Sequence, residues 1–403
     1  MKVLCTLVLL NSFVLPSVSA VAAEKKAEVK AEAKAESVSD ERVSAKAIMS
    51  GVYQSFLKIV PYVYSDQESQ YGQLFKGDSA KKDELLKNLN DLSEFFKSAE
   101  HVSYFKRPGF RPSLDTINNH LSDTIVSVKE NNYNFAQKRL KAMTSLCISC
   151  HSQLSEASSK NSFGKEVNLT DRSGFESDYA FANYLFLVRK FEEAESYFKK
   201  AVEVSLEKSQ MTVLLDSLRK LLSIYTKVDF DYKKASAFVS AYKDDKRMPV
   251  IAKNSLLEWS RSLQTFEKFN AKTNSSPKEF IEKYLAPLEQ TKLGQTETNH
   301  DVRFLVGSGV LTKFATSNPK SKLMPEILYW LAVADKNLSH SYFFSLSDLY
   351  LKDCVTTYSK SPFARKCYEL YEENVQFGYS GSGGTDIPEG EKRELQRLKS
   401  FLK

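Results

Sequence analysis

The chain has 403 residues, of which 42% are hydrophobic, enough apolar material for two or three packed domains. Its formal net charge of +7 is mild for this length, and the charges mix in sign with no dense Lys/Arg tract interleaved with aromatics, which argues against a nucleic-acid-binding protein. No Ser/His/Asp or Cys/His set stands at a recognisable spacing, and no paired carboxylates stand out from ordinary surface acids, so no enzyme class is indicated.

The N-terminus reads as a secretory leader. Met1-Lys2 is followed by an apolar run from Val3 to Leu15 and then by Pro16-Ser17-Val18-Ser19-Ala20, the basic start, greasy middle and small-residue end of such a segment. Cleavage is expected after Ala20 or Ala22, and Cys5 leaves with the leader. No later stretch approaches the length of a membrane span, so the mature chain is expected to carry no transmembrane segment and to work in the periplasm. Residues 21–41 are nearly all Ala, Glu, Lys, Val and Ser with no aromatic, and cannot bury enough apolar surface to dock. They read as a frayed helix or a tether.

From residue 42 apolar residues return at helical spacing, and four amphipathic segments follow. The first carries Ala45, Ile48, Val52, Phe56 and Ile59. Leu85, Leu89, Leu92 and Phe96 mark the second. A loop with Pro108, Gly109 and Pro112 leads to the third, with Leu114, Ile117, Leu121, Ile125 and Val128. After the turn-forming Asn131-Asn132 the fourth carries Ala136, Leu140, Met143, Cys147, Cys150 and Leu154. Steps of three and four put one stripe of each helix toward a common axis, which predicts an antiparallel four-helix bundle over residues 42–155.

The last of these helices holds Cys147-Ile148-Ser149-Cys150-His151. C-x-x-C-H is the covalent attachment sequence of c-type haem: two thiols form thioethers with the porphyrin vinyls, and the adjacent histidine coordinates the iron. A chance match in a chain with this Cys and His content has odds of roughly one in a thousand. A zinc site would want a second ligand pair at similar spacing, whereas Cys354 and Cys367 are far downstream and thirteen apart. A thioredoxin-like pair would follow a strand, and several turns of helix precede Cys147 instead. The expected cofactor is one covalent haem c, in keeping with the leader.

With the motif near the end of the fourth helix, residues 42–155 resemble the class II c-type cytochromes, the family of cytochrome c′ and its low-spin relatives. The resemblance implies that a residue early in the first helix faces the open side of the iron, a methionine in low-spin members, with an aromatic seven residues later. Met49, followed by Phe56 and Ile59, matches that pattern and is the candidate sixth ligand. The alternatives are that Met49 fills core space, that His101 or His120 ligates, or that the iron is five-coordinate and open to small gases. Lys138, Arg139 and Lys141 flank the haem helix as possible propionate partners or as a solvated face.

Residues 156–174 are polar with two glycines and mark a boundary. Beyond it helices come in pairs. In 175–205, Ala182, Ala194, Phe198 and Ala201 have the offsets that let two antiparallel helices approach closely, and FEEAESYFKKA resembles a tetratricopeptide repeat. Further pairs fall at 211–228 and 231–243, 249–269 and 277–293, and 301–317 and 323–338, with a last one around the Ser361-Pro362 turn. The fold class expected is all-α, a four-helix haem bundle followed by a tetratricopeptide-like α-solenoid over 175–377, with stacking and no strands. Cys354 and Cys367 flank the Ser361-Pro362 turn on helices expected to be neighbours, where in an oxidising compartment they form a disulfide or remain buried thiols. The run Gly378 to Thr385 lacks the Gly-Lys-Ser/Thr ending of a phosphate loop and reads as a flexible link to a last helix near 389–402.

The function these features imply is electron transfer by an exported mono-haem protein, non-enzymatic, with the repeats docking a redox partner or another envelope protein. The alternatives are a haem-based gas sensor or scaffold, and a repeat-based interaction protein whose haem only fills its core.

Overall fold

The structure is a computed structural model that describes residues 45, 47–56, 58–59, 79–102, 111–133, 135–136, 138–140, 143, 172–175, 177–187, 190–266, 268–269, 276–289, 300–338, 342 and 345–402. The leader, the Ala/Glu/Lys tether and the boundary at 156–171 lie outside these residues.

The expected N-terminal helices are present where the chain is described. Helical residues within 45–59 (α1) bury Ala45, Val52, Phe56 and Ile59. Next, α2 (Ser79–Ala99) buries Leu85, Leu89, Leu92 and Phe96, and α3 (Arg111–Lys129) buries Leu114, Ile117, Leu121 and Val128. Helical residues within 133–143 (α4) bury Ala136, Leu140 and Met143. Two contacts set α2 and α3 antiparallel: the Lys82 ammonium donates to the Lys129 carbonyl at 3.0 Å, and at the opposite end Asn118 donates to the Glu100 carboxylate at 2.9 Å. The α3–α4 turn is built by Asn131, whose left-handed φ of 61° lets the Asn132 N–H return to the Ser127 carbonyl at 2.7 Å. α1 crosses α2 where Gly51 meets the Phe95 ring, so closely that any side chain at 51 would collide with it.

After a short 3₁₀ turn at Arg172–Gly174 a ladder of helices follows. Its members are α5 (Asp178–Leu187), α6 (Phe191–Lys208), α7 (Met211–Ser223, continuing as a π-helical turn Ile224–Val228), α8 (Tyr232–Lys243) and α9 (Val250–Gln264). α10 starts at Pro277–Phe280, passes through a π-helical turn Ile281–Leu285 and ends with Ala286–Glu289. α11 (Asp301–Ser317), α12 (Met324–Asn337), α13 (Ser347–Thr357) and α14 (Pro362–Gly378) complete five pairs, and α15 (Glu389–Ser400) closes the chain. Apart from α9 and α10, consecutive helices pack on one another along the ladder, as stacked helices do when each has an apolar face to cover. Ala182, Ala194, Phe198 and Ala201 are all buried, as their spacing predicts. Both Ser-Pro steps open helices with a serine cap: Ser276 accepts from the Glu279 N–H, and Ser361 from the Phe363 N–H.

Two features depart from the expectation. A two-residue antiparallel hairpin, Ser380–Gly381 (β1) with Gly384–Thr385 (β2), forms where a flexible link and no strands were expected, because Gly384 supplies the φ of +107° that a tight turn needs. The π-helical turns in α7 and α10 were also unforeseen. Each presses on α11, which meets them with Gly309 and Gly307 respectively. No helix among the described residues is long and apolar enough to cross a membrane.

Candidate functional site

Of the residues singled out for haem chemistry, Met49, His101, His120, Lys138 and Arg139 are among the described residues. Met49 sits on α1, half-buried against the core, two residues before the Gly51–Phe95 crossing. One turn further along, the buried Tyr53 places its hydroxyl 2.7 Å from that of Tyr184 on α5. His101 lies exposed in the turn after α2. His120, by contrast, is only 7% exposed on α3 and faces Arg139 of α4. Burial, reinforced by the Arg139 charge, lowers its pKa to about 4, so the imidazole is neutral at ordinary pH.

Cys147, Cys150, His151 and Lys141 lie outside the described residues. Of their neighbours, Lys138 is exposed, and Arg139 pairs with Asp123 of α3 while stacking over Phe135 at 5.6 Å. Arg139 is thus already engaged across the α3–α4 pair rather than held free on a solvated face. Among the described residues no cluster of three His, Cys, Asp or Glu side chains is arranged to hold a metal ion.

Cys354 on α13 and Cys367 on α14 are joined by a disulfide, both fully buried, with their Cα atoms 6.3 Å apart. The bond ties two helices that already share a Ser-Pro turn. One of the two, α13, is also the helix that α3 packs against.

Sequence periodicity missed a polar knot inside the ladder. The Lys220 ammonium of α7 is buried and donates to the Tyr342 carbonyl at 2.9 Å, and burial pulls its pKa below the usual range. The Tyr342 hydroxyl donates to Asp301 at 2.5 Å, at the head of α11, where the Trp259 indole N–H also points. Asp335 on α12 is buried too. Burial pushes its pKa up against the opposing pull of Lys227 and of the Leu346 N–H, which donates to it at 3.1 Å. Nothing in the local spacing of Lys220, Lys227 or Asp335 marks them as interior, since their partners come from loops and helices more than ten residues away.

No family model, no curated protein and no solved structure matches this chain.

Proposed function

We propose that the chain is an exported mono-haem c-type cytochrome in which a four-helix bundle carries the cofactor and moves electrons. The observation that supports this most is one of register. The stripe buried at Ala136, Leu140 and Met143 has steps of four and three, and Cys147 and Cys150 continue it with the same steps. By that periodicity both thiols are assigned to the same apolar stripe as Ala136, Leu140 and Met143.

The donor set suits the group. Each cysteine thiol adds across one vinyl, forming a carbon–sulfur bond and leaving its hydrogen on the neighbouring carbon. His151 would hold the iron, and Met49 is the residue we assign as its second ligand. A bound haem supplies reversible one-electron chemistry, and thioether ligation opposite histidine raises its potential. His120 is the alternative to Met49 as that ligand, and in the second reading the position stays empty or labile and the protein binds gases instead. In a third reading the haem only fills the core of an interaction protein.

Mature protein made with an intact cytochrome maturation system tests this. We expect a covalent mass increase of one haem that Cys147→Ser and Cys150→Ser remove, and a low-spin spectrum in both oxidation states. High-spin spectra with ready carbon monoxide binding would favour the gas-binding reading, and colourless protein of unmodified mass would end both.

A further inference from the structure

The helix ladder has the architecture of repeat arrays that bind other proteins, yet its surface is contacted by the chain itself. α5 buries eight consecutive residues, Ala180–Leu187, so no side of this helix is left to solvent. A helix covered all round has neighbours on every face. α6 covers one side, and α1 reaches another through Tyr53 and Tyr184, two hydroxyls that are both buried. At the far end of the ladder α3 packs against α13, a member of the fifth pair.

Those two contacts tie both ends of the array to one group of helices. Packed helices lie about 8–10 Å apart, so a path from α5 through α1, α2 and α3 to α13 spans up to about 40 Å. Four spacings of a two-layer ladder, from the first helix of the first pair to that of the fifth, need about 30–40 Å. The N-terminal helices are therefore long enough a bridge to reach both ends. Inside the array, α7 of the second pair touches α11 of the fourth directly, past α9. The backbone of Lys227 there lies only about 3.1 Å from where a Cβ on Gly309 would stand, so any side chain would press on the main chain. The π-helical turn at Ile224–Val228 and the left-handed Phe230, φ 54°, bring that backbone in.

We propose that the array's binding surface is occupied by the chain's own N-terminal helices, so that the ladder is a cradle for them and not a groove for a second protein. The two ends of the cradle grip α1 and α3, and the Tyr53–Tyr184 pair is part of the grip. This holds whether or not the haem reading does, because none of its contacts involves Cys147, Cys150 or His151.

The test uses the full chain with a specific protease site inserted between residues 156 and 171, cleaved under native conditions and diluted stepwise through size-exclusion chromatography. The two fragments are expected to co-elute down to nanomolar concentration. Fragments that separate at micromolar concentration would overturn the proposal. Tyr53→Phe in the same background keeps the ring and leaves one buried hydroxyl unpaired, and should raise the dissociation constant of the cleaved halves at least about five-fold. An unchanged dissociation constant would remove this tyrosine pair from the interface.

Discussion

The hydroxyl oxygens of Tyr53 and Tyr184 lie 2.7 Å apart across 131 positions of sequence, each inside the protein. Burial, with the Tyr184 hydrogen bond adding to it, pushes the Tyr53 phenol well above the usual tyrosine range, so Tyr53 stays protonated and the hydrogen bond is kept. Replacing one by Phe should cost about 1–3 kcal/mol, since a buried hydroxyl is left unmatched, while the double replacement should cost less than the two singles together. Urea unfolding of the four proteins measures the coupling, and strict additivity would mean that the pair contributes no interaction of its own.

His120 gives the protein a pH dependence of known sign. Its pKa falls from 6.5 to about 4 on folding, so between those values the unfolded chain binds the extra proton and stability drops as pH falls. The loss is complete once pH is below about 4. Comparing the wild type with His120→Asn from pH 7 to pH 4 isolates this share from that of the carboxylates; parallel curves would show that the histidine does not titrate in this way.

Glu195 acts at lower pH and with its own sign. Burial works against its charge, but Lys199 at 2.8 Å and Lys234 at 2.6 Å hold its pKa below the usual value. Its contribution is therefore complete above the ordinary glutamate range and is lost as pH falls through the lowered value. Glu195→Gln should flatten the acid limb of the stability curve, and an unaltered limb would remove this residue from the account.

The disulfide between Cys354 and Cys367 closes a loop of thirteen residues, which by the loop-entropy relation is worth about 3 kcal/mol. Oxidised protein should show no titratable thiol from this pair when denatured without reductant, and the Cys354→Ala, Cys367→Ala double variant should unfold at lower urea concentration. Two free thiols in protein isolated from an oxidising compartment would contradict the bond.

The two glycines of α11 should behave differently when a methyl is added. Alanine gains about 1 kcal/mol of helix propensity at either site. At Gly307 the new Cβ meets the ends of Leu285, 3.0 Å away, which can turn aside, so the change should be close to neutral. At Gly309 it meets the Lys227 main chain, which cannot, and the overpacking of about 1–3 kcal/mol should dominate. Thermal unfolding of the two variants gives the order directly; equal effects would mean that the α7–α11 crossing is not tight.

Met49→Ala and His120→Asn separate the candidate iron ligands in haem-loaded protein. We expect the first to convert a low-spin spectrum to high-spin and the second to leave it unchanged. The reverse result would transfer the assignment to His120.

The apolar stripes of the N-terminal helices, the small residues at Ala182, Ala194 and Ala201 and the Ser361-Pro362 turn were legible because each is a local pattern, repeated every three or four residues or set by one dihedral preference. His120 was legible only as a histidine. Its burial and its neutrality follow from Arg139 and from apolar neighbours on other helices, which no window around position 120 contains. The π-helical turns were hidden for the same reason, since they answer to the packing of Gly307 and Gly309 across the ladder.

By itself the sequence determined that this chain is helical and which face of the described helices goes inward, and it carries a C-x-x-C-H sequence at 147–151, because periodicity and side-chain chemistry are written along the chain. Only the tertiary structure decided that Tyr53 meets Tyr184, that Lys220 and Asp335 are interior, and that the ladder's two ends close on α1 and α3. Those outcomes depend on contacts between positions tens to hundreds of residues apart, where burial and close approach are settled by the whole fold and not by any neighbour in sequence.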